Sequence, residues 1–173
     1  MLNELNLSLG KIRTTSPRRI LCSALVLSLL AWCGMQIPGY ISYSFTDSVG
    51  HTWFYVRKGR PAHISSGDIV IFSVSIDQAL VPNCMPCNIT KIVGCLPGQH
   101  LKTQGRDFFC DGVFLGEAKT HSQQGVSVEA ISYDGVIPEN HFFATGTCKD
   151  SYDSKYFGLV RQDIIKGIGL PLF

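Results

Sequence analysis

Charge is scarce in this 173-residue chain. Only 16% of side chains carry it, with 15 Lys and Arg set against 13 Asp and Glu. Beyond residue 37 there is no run of like charge and no basic stripe, so the electrostatic footprint of a nucleic-acid binder is missing and no nucleic-acid partner is expected. Cys84-Met85-Pro86-Cys87 has no second closely spaced Cys or His pair to complete a four-ligand zinc site. No motif calls for a metal or other cofactor. Internal repeats and low-complexity segments are absent. So is any long helical apolar period outside one run near the N-terminus, which excludes a helical domain.

That run, Ile20 to Ile37, is 18 residues without a charged side chain, interrupted only by the polar Ser23, Ser28 and Gln36. At about 1.5 Å per residue it reaches ~27 Å, the thickness of a bilayer core. Residues 1–19 carry Lys11, Arg13, Arg18 and Arg19 against Glu4, a net of +3, while no basic residue follows the run before Arg57. This asymmetry predicts a cytoplasmic basic tail over 1–19, a transmembrane helix over 20–37 and an external domain over 38–173. A cleaved signal peptide would need small residues just after the run, and Gln36-Ile37-Pro38-Gly39-Tyr40 has none in place. The external part is nearly neutral, 11 basic against 12 acidic side chains, so the basic balance sits in the tail, which suits anionic lipid.

Beyond residue 37 the sequence predicts short β segments separated by turn residues. Expected strands are Trp53–Val56, Ile69–Val74, Ile89–Val93, Phe108–Cys110, Val113–Leu115, Val126–Ile131, Phe142–Thr145 and Tyr156–Val160. Asp111-Gly112 between two apolar runs predicts a hairpin, and Leu159–Ile168 is the one stretch that could form a short helix. The fold class is therefore all-β behind one N-terminal helix. Five cysteines lie outside the apolar run: Cys84, Cys87, Cys95, Cys110 and Cys148. In an oxidising compartment the Cys84–Cys87 spacing is expected to serve a structural disulfide, since a strand follows it in place of the helix that activates a redox thiol. An odd count leaves at least one thiol unpaired.

Lys91 is the residue that raises the question of chemistry. It stands in the apolar segment Ile89-Thr90-Lys91-Ile92-Val93, just before the turn Pro97-Gly98. A lysine there either snorkels to a sheet edge or is buried. Burial disfavours the ammonium and yields a neutral amine able to act as a general base. Ser48, in Thr46-Asp47-Ser48-Val49-Gly50, lies on a loop upstream and offers a nucleophilic hydroxyl. His51, His63, His100, His121 and His141 keep a Ser-His-Asp arrangement open by count, although none sits in an informative local pattern. A third polar cluster, Ser151-Tyr152-Asp153-Ser154-Lys155-Tyr156-Phe157-Gly158, follows Gly146-Thr147-Cys148.

In this order and spacing behind a single anchor, the three segments resemble the signal peptidase I family of serine–lysine peptidases (S26). They look closest to the short conjugative-transfer, TraF-like members that mature pilin subunits. Thr46-Asp47-Ser48-Val49-Gly50 matches a Thr/Ser-x-Ser-x-Pro pattern, and Lys91-Ile92-Val93-Gly94-Cys95-Leu96-Pro97-Gly98-Gln99 matches Lys-Arg-x-x-Gly-x-Pro-Gly-Asp. Ser151 to Gly158 matches Ser-x-Asp-Ser-Arg-Tyr-Phe/Trp-Gly, and Gly67-Asp68-Ile69-Val70 fits the family's strand start. Gly50, Ile92, Gln99 and Thr147 depart from the pattern, replacing proline, arginine and two aspartates.

The resemblance implies Ser48 as nucleophile and Lys91 as general base. It implies Ser151 orienting the lysine, Asp153 pairing with Lys155, and the Thr46 hydroxyl with the Ser48 N–H forming an oxyanion hole. It also implies a bacterial inner-membrane enzyme with a periplasmic catalytic domain, cleaving pilin or other exported precursors beside the bilayer. A housekeeping signal peptidase and a non-catalytic assembly module are the alternatives. A self-cleaving repressor is disfavoured, because an anchor stands where a DNA-binding helix would be.

Overall fold

The computed structural model describes residues 16–36, 40–44, 48–77, 80 and 86–172. The chain divides into two units, residues 1–38 and 39–173. In the first, the apolar run forms helix α1, Pro17–Gln36, whose Leu, Ile and Val side chains are exposed along its length. By length and composition, residues Pro17–Met35 suffice to cross a membrane. Pro17 occupies the first turn, where its missing N–H costs no helical hydrogen bond.

The second unit is built from strands. They are β1 Ile41–Tyr43, β2 Trp53–Lys58, β3 Ile69–Val74, β4 Cys87–Cys95, β5 His100–Gln104, β6 Asp107–Cys110, β7 Val113–Glu117, β8 Asp134–Val136, β9 His141–Thr145, β10 Val160–Arg161 and β11 Ile165–Pro171. A four-residue helix, α2 (Ser154–Phe157), precedes β10. Seven strands form one sheet in the order β1-β2-β11-β3-β4-β9-β10, and four form a second in the order β7-β6-β5-β8.

Three expectations are corrected. Val126–Ile131 makes no strand and contributes only a bridge from Ser127 to His121. Its branched residues alternate as a strand would, but they follow a connection held by turn hydrogen bonds, Ser122 N–H to the Val126 carbonyl and Gly125 N–H to the Ser122 carbonyl. Tyr156–Val160 is split, because Asp153 caps α2 and Gly158, at φ +84°, ends it. Leu159–Ile168 is not a helix but β10, a 3-10 turn (Gln162–Ile164) and the start of β11. Gly167 and Gly169 explain the last result. They let β11 lie between β2 and β3, where a side chain on Gly167 would come within 2.8 Å of the Arg57 carbonyl.

The strand pattern sorts residues onto two faces. In the β3–β4 register Val70 opposes Lys91, and Ile69 opposes Ile92. Opposed residues share a face, so Lys91 joins Val70 and Val93 on one side, while Ile92 joins Ile69 on the other. The first side holds the core of Val70, Phe72, Val93, Phe142, Ala144 and Ile168. The second packs Ile92 against Val49, Phe54 and Ile69. Phe142 and Phe143 are adjacent in β9 and both fully buried, Phe143 entering a separate cluster with Leu101, Phe108 and the disulfide Cys95–Cys110. The expected Asp111-Gly112 hairpin joins β6 to β7, with φ +47° and +81° at the two positions.

Candidate active site

Lys91 lies near the middle of β4, 4% exposed, and its Nζ donates to Ser151 Oγ at 2.7 Å. Burial pushes its pKa below the ordinary lysine value. Asp153 and Cys148 pull it back up, and Lys155 adds to the depression. The snorkelling alternative is thus excluded by position: the side chain points into the core face, towards a polar cluster from the far end of the chain.

That cluster is organised by one carboxylate. Asp153 is fully buried and accepts from Gly146 N–H (3.0 Å), Lys155 N–H (3.1 Å) and Lys155 Nζ (2.7 Å). A buried ion pair is tolerable when its remaining lone pairs are met this way. Ser154, absent from the sequence-derived site, is buried and accepts from Ala144 N–H at 2.9 Å. Together these bonds clamp the segment after β9 onto α2, so that residues 146 and 151 face one another.

Gly146 marks the closest point of that approach. A Cβ at this position would fall 2.0 Å from Ser151 Oγ and 2.9 Å from the Ser48 carbonyl oxygen. The same carbonyl accepts from Thr147 N–H at 2.8 Å. Ser48 is 5% exposed and sits in the turn before Gly50. Gly146 thus lies against both Ser151, the partner of Lys91, and the backbone carbonyl of Ser48. Thr46, the expected oxyanion donor, lies outside the described residues, as does Cys84.

The departures from the motif acquire local explanations. Gly50 adopts φ +69°, which proline cannot reach, so the turn after Ser48 takes a path that the motif's proline would forbid. Ile92 points away from Lys91 and supports Val49, the neighbour of Ser48, by apolar packing. Gln99 caps the Pro97-Gly98 turn: its Oε1 accepts from Leu96 N–H at 2.7 Å and its Nε2 donates to Asp111 Oδ2 at 2.9 Å. Cys95–Cys110 is a disulfide, Cys87 is itself disulfide-bonded, and Cys148 is a half-buried free thiol close enough to influence Lys91. None of this pairing of Cys95 and Cys110 was legible in their spacing.

A buried lysine with a lowered pKa, hydrogen-bonded to Ser151, and a loop braced by the Asp153 carboxylate are held on a β domain. Residues 16–170 match the sequence model of the family described as signal peptidase, peptidase S26. The chain belongs to that family, and with it to the serine endopeptidases that cleave signal peptides from exported preproteins. Among solved structures, a signal peptidase I from Enterococcus faecalis is similar at 23% identity, covering 61% of this chain and 96% of that one with a TM-score of 0.39. Comparison with curated proteins returned no match.

Proposed function

We propose that this chain is a single-pass membrane peptidase in which Ser48 is the nucleophile and Lys91 its general base. The observation that carries this reading is the buried Lys91 Nζ, depressed in pKa by desolvation and aimed by Ser151 at 2.7 Å. A neutral Nζ takes the proton of Ser48 Oγ as that oxygen attacks the scissile carbonyl. The resulting ammonium then protonates the leaving amine, and an acyl-enzyme remains on Ser48. Water, deprotonated in turn by Lys91, hydrolyses the ester and restores Ser48. Ser151 keeps the amine aimed, and Asp153 with Lys155 fixes the loop that carries Ser151. Thr46 Oγ1 and the Ser48 N–H would receive the charge developing on the carbonyl oxygen.

Substrate access is supported by β4. Its residues pair with β9 only at Ile92, Val93 and Cys95, so Cys87–Lys91 have no strand on that side among the described residues. An extended precursor segment added there would run into Lys91. A membrane location is supported by α1 and by a row of half-exposed apolar rings and chains on one face of β1, β2 and β11. Tyr43 opposes Trp53, and Ile41 and Leu170 both oppose Tyr55. Trp and Tyr favour the headgroup region, so lipid is the expected neighbour of this face. The basic residues flanking α1 support a cytoplasmic N-terminus. The disulfide of Cys95 with Cys110 suits the oxidising periplasm for the β domain. The resemblance to the conjugative-transfer members makes a pilin precursor the preferred substrate.

The deciding experiment is precursor cleavage in liposomes by wild type, Ser48→Ala and Lys91→Arg. Arginine keeps the charge and cannot deprotonate, so both variants should be inactive. Cleavage by Lys91→Arg would mean that another group is the base. Equal rates on a pilin precursor and on an ordinary secreted preprotein would remove the conjugative assignment while leaving the peptidase. A periplasm-active reporter that works after Arg13 and not after Phe173 would reverse the topology.

A further inference from the structure

A second depression opens beside the cluster. It has a volume of about 420 Å³, with Phe114–Glu117 of β7 on one side and Gly146–Lys149 on the other. We propose that this groove receives the part of the precursor that follows the cleaved bond, as an extended strand laid along β7. The inference rests on the peptidase reading above and adds to it the place where the leaving segment binds.

Three observations converge on this. The first is continuity with the chemistry. Gly146 and Thr147 form the near end of the groove, and Thr147 N–H bonds the Ser48 carbonyl at 2.8 Å. Lys91 must hand its proton to the departing amine, so the segment bearing that amine leaves from the side where Nζ meets Ser151. Gly146 is the backbone packed against Ser151 on that side.

The second is the character of β7. It is the outermost strand of the four-stranded sheet, pairing with β6 and with no other strand among the described residues. Edge strands are commonly blunted with charges or short length, because their outer N–H and C=O groups recruit other chains. β7 is five residues long with Val113 and Phe114 exposed at 66% and 56%, and its single charge, Glu117, comes at its end. Such an edge is suited to strand addition by a transient partner.

The third is charge. Lys119 is neutralised by Asp150 and Lys155 by Asp153, whereas Lys149 is exposed and makes no ion pair among the described residues. Glu117, exposed on the opposite side of the groove, likewise makes no ion pair among the described residues, so the two charges offset one another and the groove fits an uncharged segment.

The test uses the full chain in detergent and two peptides identical up to the cut. One ends a single residue beyond it, and the other continues for several uncharged residues. Wild type should cleave the longer peptide with kcat/KM about tenfold higher, the scale of one or two strand hydrogen bonds. In Phe114→Ser the ratio of long to short should fall towards one; in Lys149→Glu, assayed with a third peptide whose tail is acidic, it should fall below the wild-type ratio for that peptide. A wild-type ratio of one, or ratios untouched by both substitutions, overturns the groove assignment. Cleavage of neither peptide overturns the peptidase reading, and the assignment with it. As a check independent of turnover, a photo-crosslinker placed after the cut and bound to Ser48→Ala should label β7 or residues 146–149. Labelling confined to other strands refutes the proposal.

Discussion

Gly146→Ala isolates the geometry of the site with a single methyl group. The added Cβ would lie 2.0 Å from Ser151 Oγ, where ordinary contact begins at 3.4 Å, so Ser151 must retreat by about 1.4 Å or the loop must shift equally. Ser151 cannot retreat that far and keep its 2.7 Å bond to Lys91 Nζ. Retreat of the loop would press on the Ser48 carbonyl, 2.9 Å from the same Cβ. A misplacement near 1 Å in a catalytic constellation costs about 10²-fold in rate, equivalent to ~2.7 kcal/mol of barrier. Overpacking at a tight buried site costs about 1–3 kcal/mol of stability. The expected result is thus a folded enzyme with kcat down roughly 100-fold and a modestly lower Tm. Cleavage of a precursor in detergent, with thermal unfolding on the same samples, measures both. Gly135→Ala is the control, because its Cβ would meet only Tyr133 at 3.8 Å. Unchanged kcat in Gly146→Ala would show that Ser151 does not aim the base, and would refute the argument.

Three further outcomes follow from the same contacts. Cleavage rate should rise with pH through the depressed Lys91 pKa. The sign for stability is the same, since the unfolded chain binds a proton that the folded chain resists between the lowered value and the ordinary one. Lys91→Met should therefore be inactive yet gain most stability over wild type on the acid side of that window, as denaturant titrations at several pH values would show. Asp153→Asn leaves the buried Lys155 ammonium without its partner and should destabilise by about 3–5 kcal/mol. Chemical denaturation should report it, and Asp153→Asn/Lys155→Met should recover part of the loss. Removing Cys95–Cys110 by serine substitution opens a loop of sequence separation 15 and should lower stability by about 3 kcal/mol, with cleavage retained below the new Tm.

Much of the candidate site was legible in the sequence because its signals are local. Lys91 interrupts an apolar strand, and a charge there demands a reason at the level of sequence. Asp153 precedes a helix by capping it, and its pairing with Lys155 spans only two positions. The hairpin at Asp111-Gly112 and the strand Ile69–Val74 are likewise encoded within a few residues. The errors fall where long-range packing overrides local pattern. Leu159–Ile168 has apolar residues at spacings a helix could use, yet two glycines and the slot between β2 and β3 make its end a strand.

By itself, then, the order of residues determined an apolar N-terminal helix and an all-β remainder, and it singled out the three segments that carry the proposed site. Those properties depend on hydrophobic period, charge placement and turn chemistry, each a matter of near neighbours in the chain. Tertiary structure alone decided which cysteines pair, which face Lys91 occupies and how closely residue 146 approaches residues 48 and 151. Those are contacts between segments dozens of positions apart, set by strand register, and a shift of one residue in β4 would turn Lys91 to the opposite face of the sheet.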